Sequence, residues 1–108
     1  MKIDILTLFP EMFTGFLNTS IIKRAIDKSL VEINLHNFRE FTLDKHKHVD
    51  DYPYGGGQGM VLMCQPIVDC LKTTVDDDSF VILMSPQGTT LNHGVAQKLS
   101  TFKHLVII

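Results

Sequence analysis

The spacing of apolar residues changes soon after the amino terminus. A short, nearly continuous apolar run ends at Pro10 and is typical of a strand buried on both faces; it comprises Ile3, Ile5, Leu6, Leu8 and Phe9. Apolar residues then recur at spacings of three and four, which predicts a helix containing Met12, Phe13, Phe16 and Leu17. Ser20 is placed to cap a second helix, whose apolar residues are Ile21, Ile22, Ala25 and Ile26.

The middle of the chain contains a strand pattern, a long stretch without periodicity and a helix pattern. Alternation of apolar and polar residues predicts a strand with one wetter face at Val31, Ile33 and Leu35. From Asp44 to Gly59 no period survives, and such a stretch inside a compact domain is a functional or a disordered loop. Pro66 can then open a helix at its first position, with apolar residues at Ile67, Val68 and Leu71.

The last third predicts two further strands with a helix between them. Phe80–Met84 is an apolar run of strand length, and Ser85–Gly88 has the composition of a β-turn. Asn92 can cap the following helix, and Leu105–Ile108 begins another apolar strand. Since strands alternate with helices, we predict an α/β fold with a mostly parallel sheet flanked by helices.

Composition narrows the class of protein. With 44% hydrophobic and 20% charged residues in 108, the chain is typical of one soluble globular unit. Ten Lys and Arg against twelve Asp and Glu exclude a generally basic nucleic-acid coat, so any RNA contact must come from a local patch. No apolar run is long enough to cross a bilayer. Cys64 and Cys70 follow no secretory signal, which predicts a reducing, cytoplasmic environment.

The most distinctive local pattern is a glycine-rich segment, in which four glycines occupy positions 55–59. Glycines permit positive φ and close approach of the backbone to a ligand. The segment lacks the Lys and Ser/Thr of a P-loop and the third glycine of a dinucleotide motif, so both are rejected. Tyrosines beside an open backbone suit a planar base, and a carboxylate can accept hydrogen bonds from the N1 and N2 edge of guanine; the neighbouring candidates are Asp50, Asp51, Tyr52 and Tyr54. A purely structural turn is the open alternative.

Three other groups of residues are candidates for a phosphate site, a metal site or a catalytic nucleophile. The basic cluster Lys45–His48 could hold a phosphate, although a solvated loop is the more economical interpretation. The histidines and the two cysteines lack the paired spacing of zinc ligands, so no metal site is predicted and the cysteines are interpreted as buried thiols. Ser85 lacks the flanking glycines of a hydrolase nucleophile. Its turn nevertheless follows a strand, at the end of a parallel sheet where ligands bind.

The chain stops inside the apolar run Leu105–Ile108, without a turn, a cap or a polar tail. A carboxylate in the interior of a sheet is costly to desolvate. We therefore expect the sequence to be the first part of a longer α/β domain. The alternative is an exposed strand at the edge of the sheet.

Three segments together resemble the bacterial tRNA (guanine-N1)-methyltransferases, the TrmD family of the SPOUT class. They are LTLFPEMF at Leu6–Phe13, VDDYPYGGGQGM at Val49–Met60 and SPQG at Ser85–Gly88. Their order is that of the family and their combination is highly specific. The resemblance implies transfer of a methyl group from S-adenosylmethionine to N1 of the guanosine 3′ of the tRNA anticodon.

The resemblance also implies an incomplete domain and a division of site residues. It identifies residues 1–108 as the amino-terminal part of a SPOUT domain from a homodimeric enzyme, without the trefoil knot, the catalytic residues or the carboxy-terminal tRNA-binding domain. The implied substrate-binding residues are Asp50, Tyr54, Gly55, Gly56, Gly57 and Gly59. The implied cofactor-binding residues are Leu83, Met84, Ser85, Pro86, Gln87 and Gly88. Leu83 stands where many relatives have an aromatic residue, and Gln58 stands where proline is frequent.

Two hypotheses therefore follow from the sequence. The first is the amino-terminal segment of such a methyltransferase, inactive by itself because its pocket is half built. The second is a small nucleic-acid-binding or dimerisation module without a cofactor.

Overall fold

A four-stranded parallel sheet forms the centre of the molecule in a computed structural model, which describes residues 1–108. Its strands are β1 (Lys2–Thr7), β2 (Glu32–Asn37), β5 (Ser79–Ile82) and β6 (His104–Ile107). They are ordered β2-β1-β6-β5 and every neighbouring pair is parallel. The predicted α/β class with a mostly parallel sheet is confirmed.

Four helices and a small hairpin connect these strands. The helices are α1 (Thr14–Leu17), α2 (Ser20–Asp27), α3 (Cys64–Thr74) and α4 (His93–Leu99). Two 3₁₀ helices directly follow the first two strands, at Pro10–Phe13 and Phe38–Phe41. The antiparallel hairpin consists of β3 (Asp50–Asp51) and β4 (Val61–Leu62).

Two helix starts differ from the sequence prediction. Ser20 is the first residue of α2 and has a φ of 53°, while Thr19 occupies the N-cap position without a side-chain hydrogen bond, so the predicted Ser20 cap is wrong. Helix α3 begins at Cys64, which makes Pro66 its third residue instead of its first. Proline is tolerated there because N–H groups in the first turn have no intrahelical acceptor. Asn92 does cap α4, since its Oδ1 accepts from the Val95 N–H at 2.9 Å.

The predicted helix after β1 is also only partly formed. The structure has a 3₁₀ helix at Pro10–Phe13 followed by the single turn of α1. Met12 is 76% exposed and Phe16 is 56% exposed, so the apolar spacing of this segment does not place it in the core. Periodicity alone cannot distinguish a buried face from an apolar surface.

The core lies on one face of the sheet, beneath α3. Residues two apart on a strand share a face, and register partners share it too, so Asp4, Leu6 and Val106 lie on the same side. Helix α3 packs Cys70 against this side, and the buried apolar cluster consists of Leu6, Phe38, Val49, Cys70 and Val106. The predicted strand at Leu105–Ile108 is an interior one, because β6 lies between β1 and β5.

Candidate functional site

The glycine-rich segment forms the tip of the hairpin between β3 and β4. Asp50 is paired with Leu62 and Asp51 with Val61, and the Met63 N–H donates to the Val49 carbonyl at 2.7 Å. Val49 is buried, which anchors the base of the hairpin in the core. The stretch predicted to lack periodic structure, residues 44–59, therefore contains β3 and the loop of a short antiparallel hairpin.

The four glycines of this loop are required by its backbone conformation. Their φ angles are 85° at Gly55, 87° at Gly56, 113° at Gly57 and 85° at Gly59, a region that L side chains rarely adopt. A Cβ atom at any of them would meet nothing within 4 Å, so close packing is not the reason for glycine. Tyr54 is fully exposed beside them, which leaves its ring free to stack on a ligand.

A cleft of about 550 Å³ lies at the side of the hairpin. Its lining is mixed apolar and acidic: Leu43, Asp44, His48, Asp50, Asp51, Tyr52, Met60, Met63 and Gln65. Among the predicted substrate-binding residues only Asp50 lines this cleft, while Tyr54 and the glycines lie outside it. The cleft contains three carboxylates and neither lysine nor arginine, so it favours a ligand edge that donates hydrogen bonds over a phosphate.

Asp44 and His48 form a coupled pair in the wall of this cleft. One carboxylate oxygen of Asp44 accepts from the His48 backbone N–H at 2.9 Å, and the other lies 2.6 Å from His48 Nδ1. Burial would raise the pKa of the Asp44 carboxyl, but the hydrogen bonds from His48 outweigh it and lower the pKa. Sequence reasoning placed His48 in a basic cluster and missed Asp44, although an Asp four residues before a His was the available signal.

Two further side chains that the sequence analysis missed hold the segment before the hairpin. Arg39 Nη1 donates to the Lys47 carbonyl at 3.1 Å. Gln65 Nε2 donates to the Phe41 carbonyl and to Asp69 Oδ2, each at 2.6 Å. The Gln65 hydrogen bond therefore ties α3 to the second 3₁₀ helix, and Gln65 itself lines the cleft.

The basic cluster Lys45–His48 is partly neutralised. Lys47 Nζ lies 3.2 Å from Glu40 Oε2, and His48 faces Asp44. The cluster therefore does not present four free cations to a phosphate, which agrees with the interpretation as a solvated loop.

The Leu83–Gly88 segment forms a turn directly after β5. The Gly88 N–H donates to the Ser85 carbonyl at 3.2 Å, and the Gln87 N–H donates to Ser85 Oγ at 3.2 Å. The predicted β-turn at Ser85–Gly88 is therefore present. Leu83 is 70% exposed and Met84 is 66% exposed, so the start of the turn offers an apolar surface.

The turn also offers free main-chain groups. Ile82 and Met84 form backbone hydrogen bonds with Ile108, and main-chain groups alternate in direction along a strand. The N–H and carbonyl groups of Leu83 consequently face the open side of β5. They form no hydrogen bond within the chain.

No hydrogen bond joins the hairpin and the turn, and the cleft beside the hairpin is lined by no residue of the turn. Both nevertheless follow the carboxyl-terminal ends of parallel strands, the edge at which open α/β sheets bind ligands. A second cleft, of about 650 Å³, lies at the opposite edge among Met1, Lys2, Glu32 and Lys103. Because this edge carries the amino-terminal ends of the strands, the second cleft is not a candidate site, although its volume is the larger of the two.

Comparison with known proteins identifies the family of this chain. The model of a family described as tRNA (Guanine-1)-methyltransferase TrmD matches residues 1–108. The chain belongs to this family. Curated TrmD-family relatives named tRNA (guanine-N(1)-)-methyltransferase include those of Dictyoglomus turgidum, 52% identical over 108 residues, and Clostridium novyi, 55% identical over 109 residues. Each alignment covers 100% of this chain.

The chain spans less than half the length of these TrmD-family relatives. It covers 44% of the Dictyoglomus turgidum protein and 45% of the Clostridium novyi protein. The expectation that the sequence corresponds to the first part of a longer protein agrees with this coverage. None of the helices has the length and apolar character needed to cross a membrane.

Proposed function

We propose that residues 1–108 supply one side of a tRNA (guanine-N1)-methyltransferase site, which transfers methyl from S-adenosylmethionine to N1 of the guanosine 3′ of the anticodon. Membership of the TrmD family carries the proposal. The chemistry of the hairpin cleft and of the turn after β5 supports it.

The hairpin cleft suits the guanine edge. The Watson–Crick edge of guanine presents the N1–H and N2–H groups as donors, and a carboxylate can only accept. Asp50 is the first residue of β3 and is half-buried in the wall of the cleft. Tyr54 and the glycines would then contact the target from the tip of the hairpin, outside the cleft, by stacking and by close approach of the backbone.

The turn after β5 suits the adenosine part of the cofactor. Leu83 and Met84 provide exposed apolar surface, and the free N–H and carbonyl groups of Leu83 can pair with the edge of an adenine. These residues fit the group. S-adenosylmethionine, when bound, would supply an electrophilic methyl group on its sulfonium.

The remaining chemical requirements are a base for the N1 proton and a donor for the negative charge that develops on O6. The cleft contains carboxylates but neither lysine nor arginine. We therefore propose that the 108 residues bind and orient, and that they do not complete a methyl-transfer site alone. The resemblance further implies a homodimer, for which the exposed apolar residues Phe9, Met12 and Phe16 offer a surface.

A methylation assay with the protein as its gene encodes it tests the proposal. The protein is incubated with S-adenosylmethionine and a tRNA transcript, and the modified nucleoside is located by mass spectrometry. We expect N1-methylguanosine 3′ of the anticodon, and we expect Asp50→Asn to lower kcat/KM at least about tenfold. Asp78→Asn, an exposed carboxylate after α3, is the matched control and should leave the rate unchanged.

Two outcomes contradict this proposal. Methyl transfer at another position would refute the assigned target. RNA binding in a gel-shift assay without any cofactor binding or methyl transfer would favour the nucleic-acid-binding module instead.

A further inference from the structure

A polar network crosses all four strands of the parallel sheet. Asp4 on β1 lies at its centre and is 1% exposed. Asp4 Oδ1 lies 2.7 Å from His36 Nε2 on β2, and Asp4 Oδ2 lies 2.5 Å from His104 Nε2 on β6. His104 Nδ1 in turn lies 2.7 Å from Ser79 Oγ on β5 and 3.1 Å from Asp76 Oδ2.

The hydrogen bonds place oxygen atoms against both ring nitrogens of His104. The Ser79 hydroxyl donates its single hydrogen to Asp76 Oδ1 at 2.9 Å, which leaves Ser79 Oγ able to accept from His104 Nδ1–H. On the other side of the ring, burial would raise the pKa of Asp4, but hydrogen bonds from His36 and His104 outweigh it and lower the pKa, and an ionised carboxylate can only accept. An imidazolium, with a hydrogen on each ring nitrogen, matches this arrangement of acceptors.

Two carboxylates compensate the positive charge of a protonated His104. Asp4 and Asp76 provide two carboxylates on either side of the ring. Lys2 Nζ lies 3.5 Å from Asp4, and His36 donates to the same carboxylate from β2. From α3, the packed group is Cys70, a thiol whose pKa is raised by burial and which stays neutral.

The network matters most for β5, the strand with the weakest apolar anchorage. Phe80 and Val81 are 41% and 44% exposed, and only β6 pairs with this strand. A slip of one residue would turn every side chain to the other face, whereas a slip of two would keep the apolar pattern. The apolar pattern therefore does not by itself select one register.

His104 distinguishes the observed register of β5 from a register shifted by two residues. In the observed register Ser79 is the direct partner of His104. A two-residue slip would place Val81 there instead, and the buried Nδ1–H would lose its hydroxyl acceptor. An unpaired donor on a buried cation is strongly unfavourable, so this register would be disfavoured.

We propose that His104 is a positioning residue, an imidazolium that fixes the register of β5 and thereby the location of the Leu83–Gly88 turn. The consequence for cofactor binding rests on the proposed function. The consequence for the strand register does not.

The matched variants Ser79→Ala and Ser79→Thr test this proposal in the protein as its gene encodes it. Alanine removes the hydroxyl, and threonine keeps it on a residue that favours strands. In the wild type, ¹⁵N NMR should show both His104 ring nitrogens protonated, and nuclear Overhauser effects should connect residues 79 and 104. We expect Ser79→Ala to double or broaden the β5 amide signals and to weaken S-adenosylmethionine binding about tenfold, with the KM for tRNA unchanged. Ser79→Thr should behave as the wild type.

The two parts of the measurement separate the possible failures. A singly protonated His104 ring, or a single unchanged register in Ser79→Ala, would overturn the proposal. If S-adenosylmethionine does not bind the wild type, the proposed function fails while the NMR result still decides the role of His104. Equal loss of signal in Ser79→Thr would also count against it, because the hydroxyl would then not be the decisive group.

Discussion

Asp4 and His104 are one hundred residues apart in the chain, yet Asp4 Oδ2 lies 2.5 Å from His104 Nε2 in the interior of the sheet. Their strands are adjacent and parallel, and Asp4 is held from the other side by His36. This interaction links the first strand of the chain to the last one described. It is therefore a sensitive point for the stability of the whole sheet.

Replacing Asp4 with asparagine should destabilise the fold strongly. The variant keeps the size of the side chain but removes the buried carboxylate that faces Nε2 of His104 and Nε2 of His36. We expect a loss of about 3 kcal/mol in the free energy of unfolding, measured by urea denaturation. Asp27→Asn is the control, because the Lys23–Asp27 pair is exposed and its loss should cost less than about 1 kcal/mol. Equal effects of the two substitutions would contradict the assigned role of Asp4.

Stability should fall in acid because two carboxyls of the network have lowered pKa values. For Asp4, hydrogen bonds from His36 and His104 outweigh the effect of burial; for Asp76, the bonds from Ser79 and His104 lower the pKa. Groups whose folded-state pKa lies below the ordinary 3.8 stabilise the fold above that pH. This stabilisation is lost as the pH falls through the folded-state values. Urea titrations between pH 6 and pH 2, run on the wild type and on Asp4→Asn, should show a smaller acid loss in the variant.

Substitution of Gly57 should strain the hairpin without a steric clash. Its φ of 113° is unfavourable for alanine, although no atom lies within 4 Å of the added Cβ. We expect Gly57→Ala to lower the free energy of unfolding by about 1–2 kcal/mol. Gly15→Ala, in α1 with open space around it, should instead be neutral or stabilising by up to about 1 kcal/mol. A neutral Gly57→Ala would show that the loop readily adopts another conformation.

The two cysteines should differ in reactivity. Cys64 is exposed at the start of α3, whereas Cys70 is buried and burial raises the pKa of its thiol. Since the thiolate is the reactive species, iodoacetamide at pH 8 should modify Cys64 at least about tenfold faster than Cys70. Mass spectrometry after timed quenching measures both rates, and the difference should vanish in urea. Similar rates in the folded protein would contradict the packing of α3 on the sheet.

The sequence predicted the four strands of the parallel sheet and the later helices because their patterns are local, but it did not predict the hairpin strands β3 and β4. Residues 80–84 and 105–108 carry continuous apolar runs, and Asn92 is a helix cap that depends only on the next three residues. The helix at residues 12–17 was predicted less well, because an apolar spacing of three and four does not specify whether that face is covered. The cofactor and substrate assignments stay predictions that came from motifs, and the structure gives them a location.

Most of the side chains that organise the candidate site could not be predicted from the sequence. Asp44 was missed although its partner is four residues away. Gln65 was missed because its acceptor, the Phe41 carbonyl, is 24 residues away and is a backbone group with no sequence signature. Tertiary packing alone shows that Asp44, Asp50 and Asp51 line one cleft beside the hairpin.

From its sequence alone, this protein has a determined class of fold, a determined order of elements and a family, since all three depend on patterns read along the chain. The tertiary structure alone decided that Asp4, His36 and His104 meet at one point inside the sheet. The physical reason is that strand order and register bring together residues whose separation in sequence conveys nothing about their separation in space. A buried carboxylate then selects the partners that can donate to it.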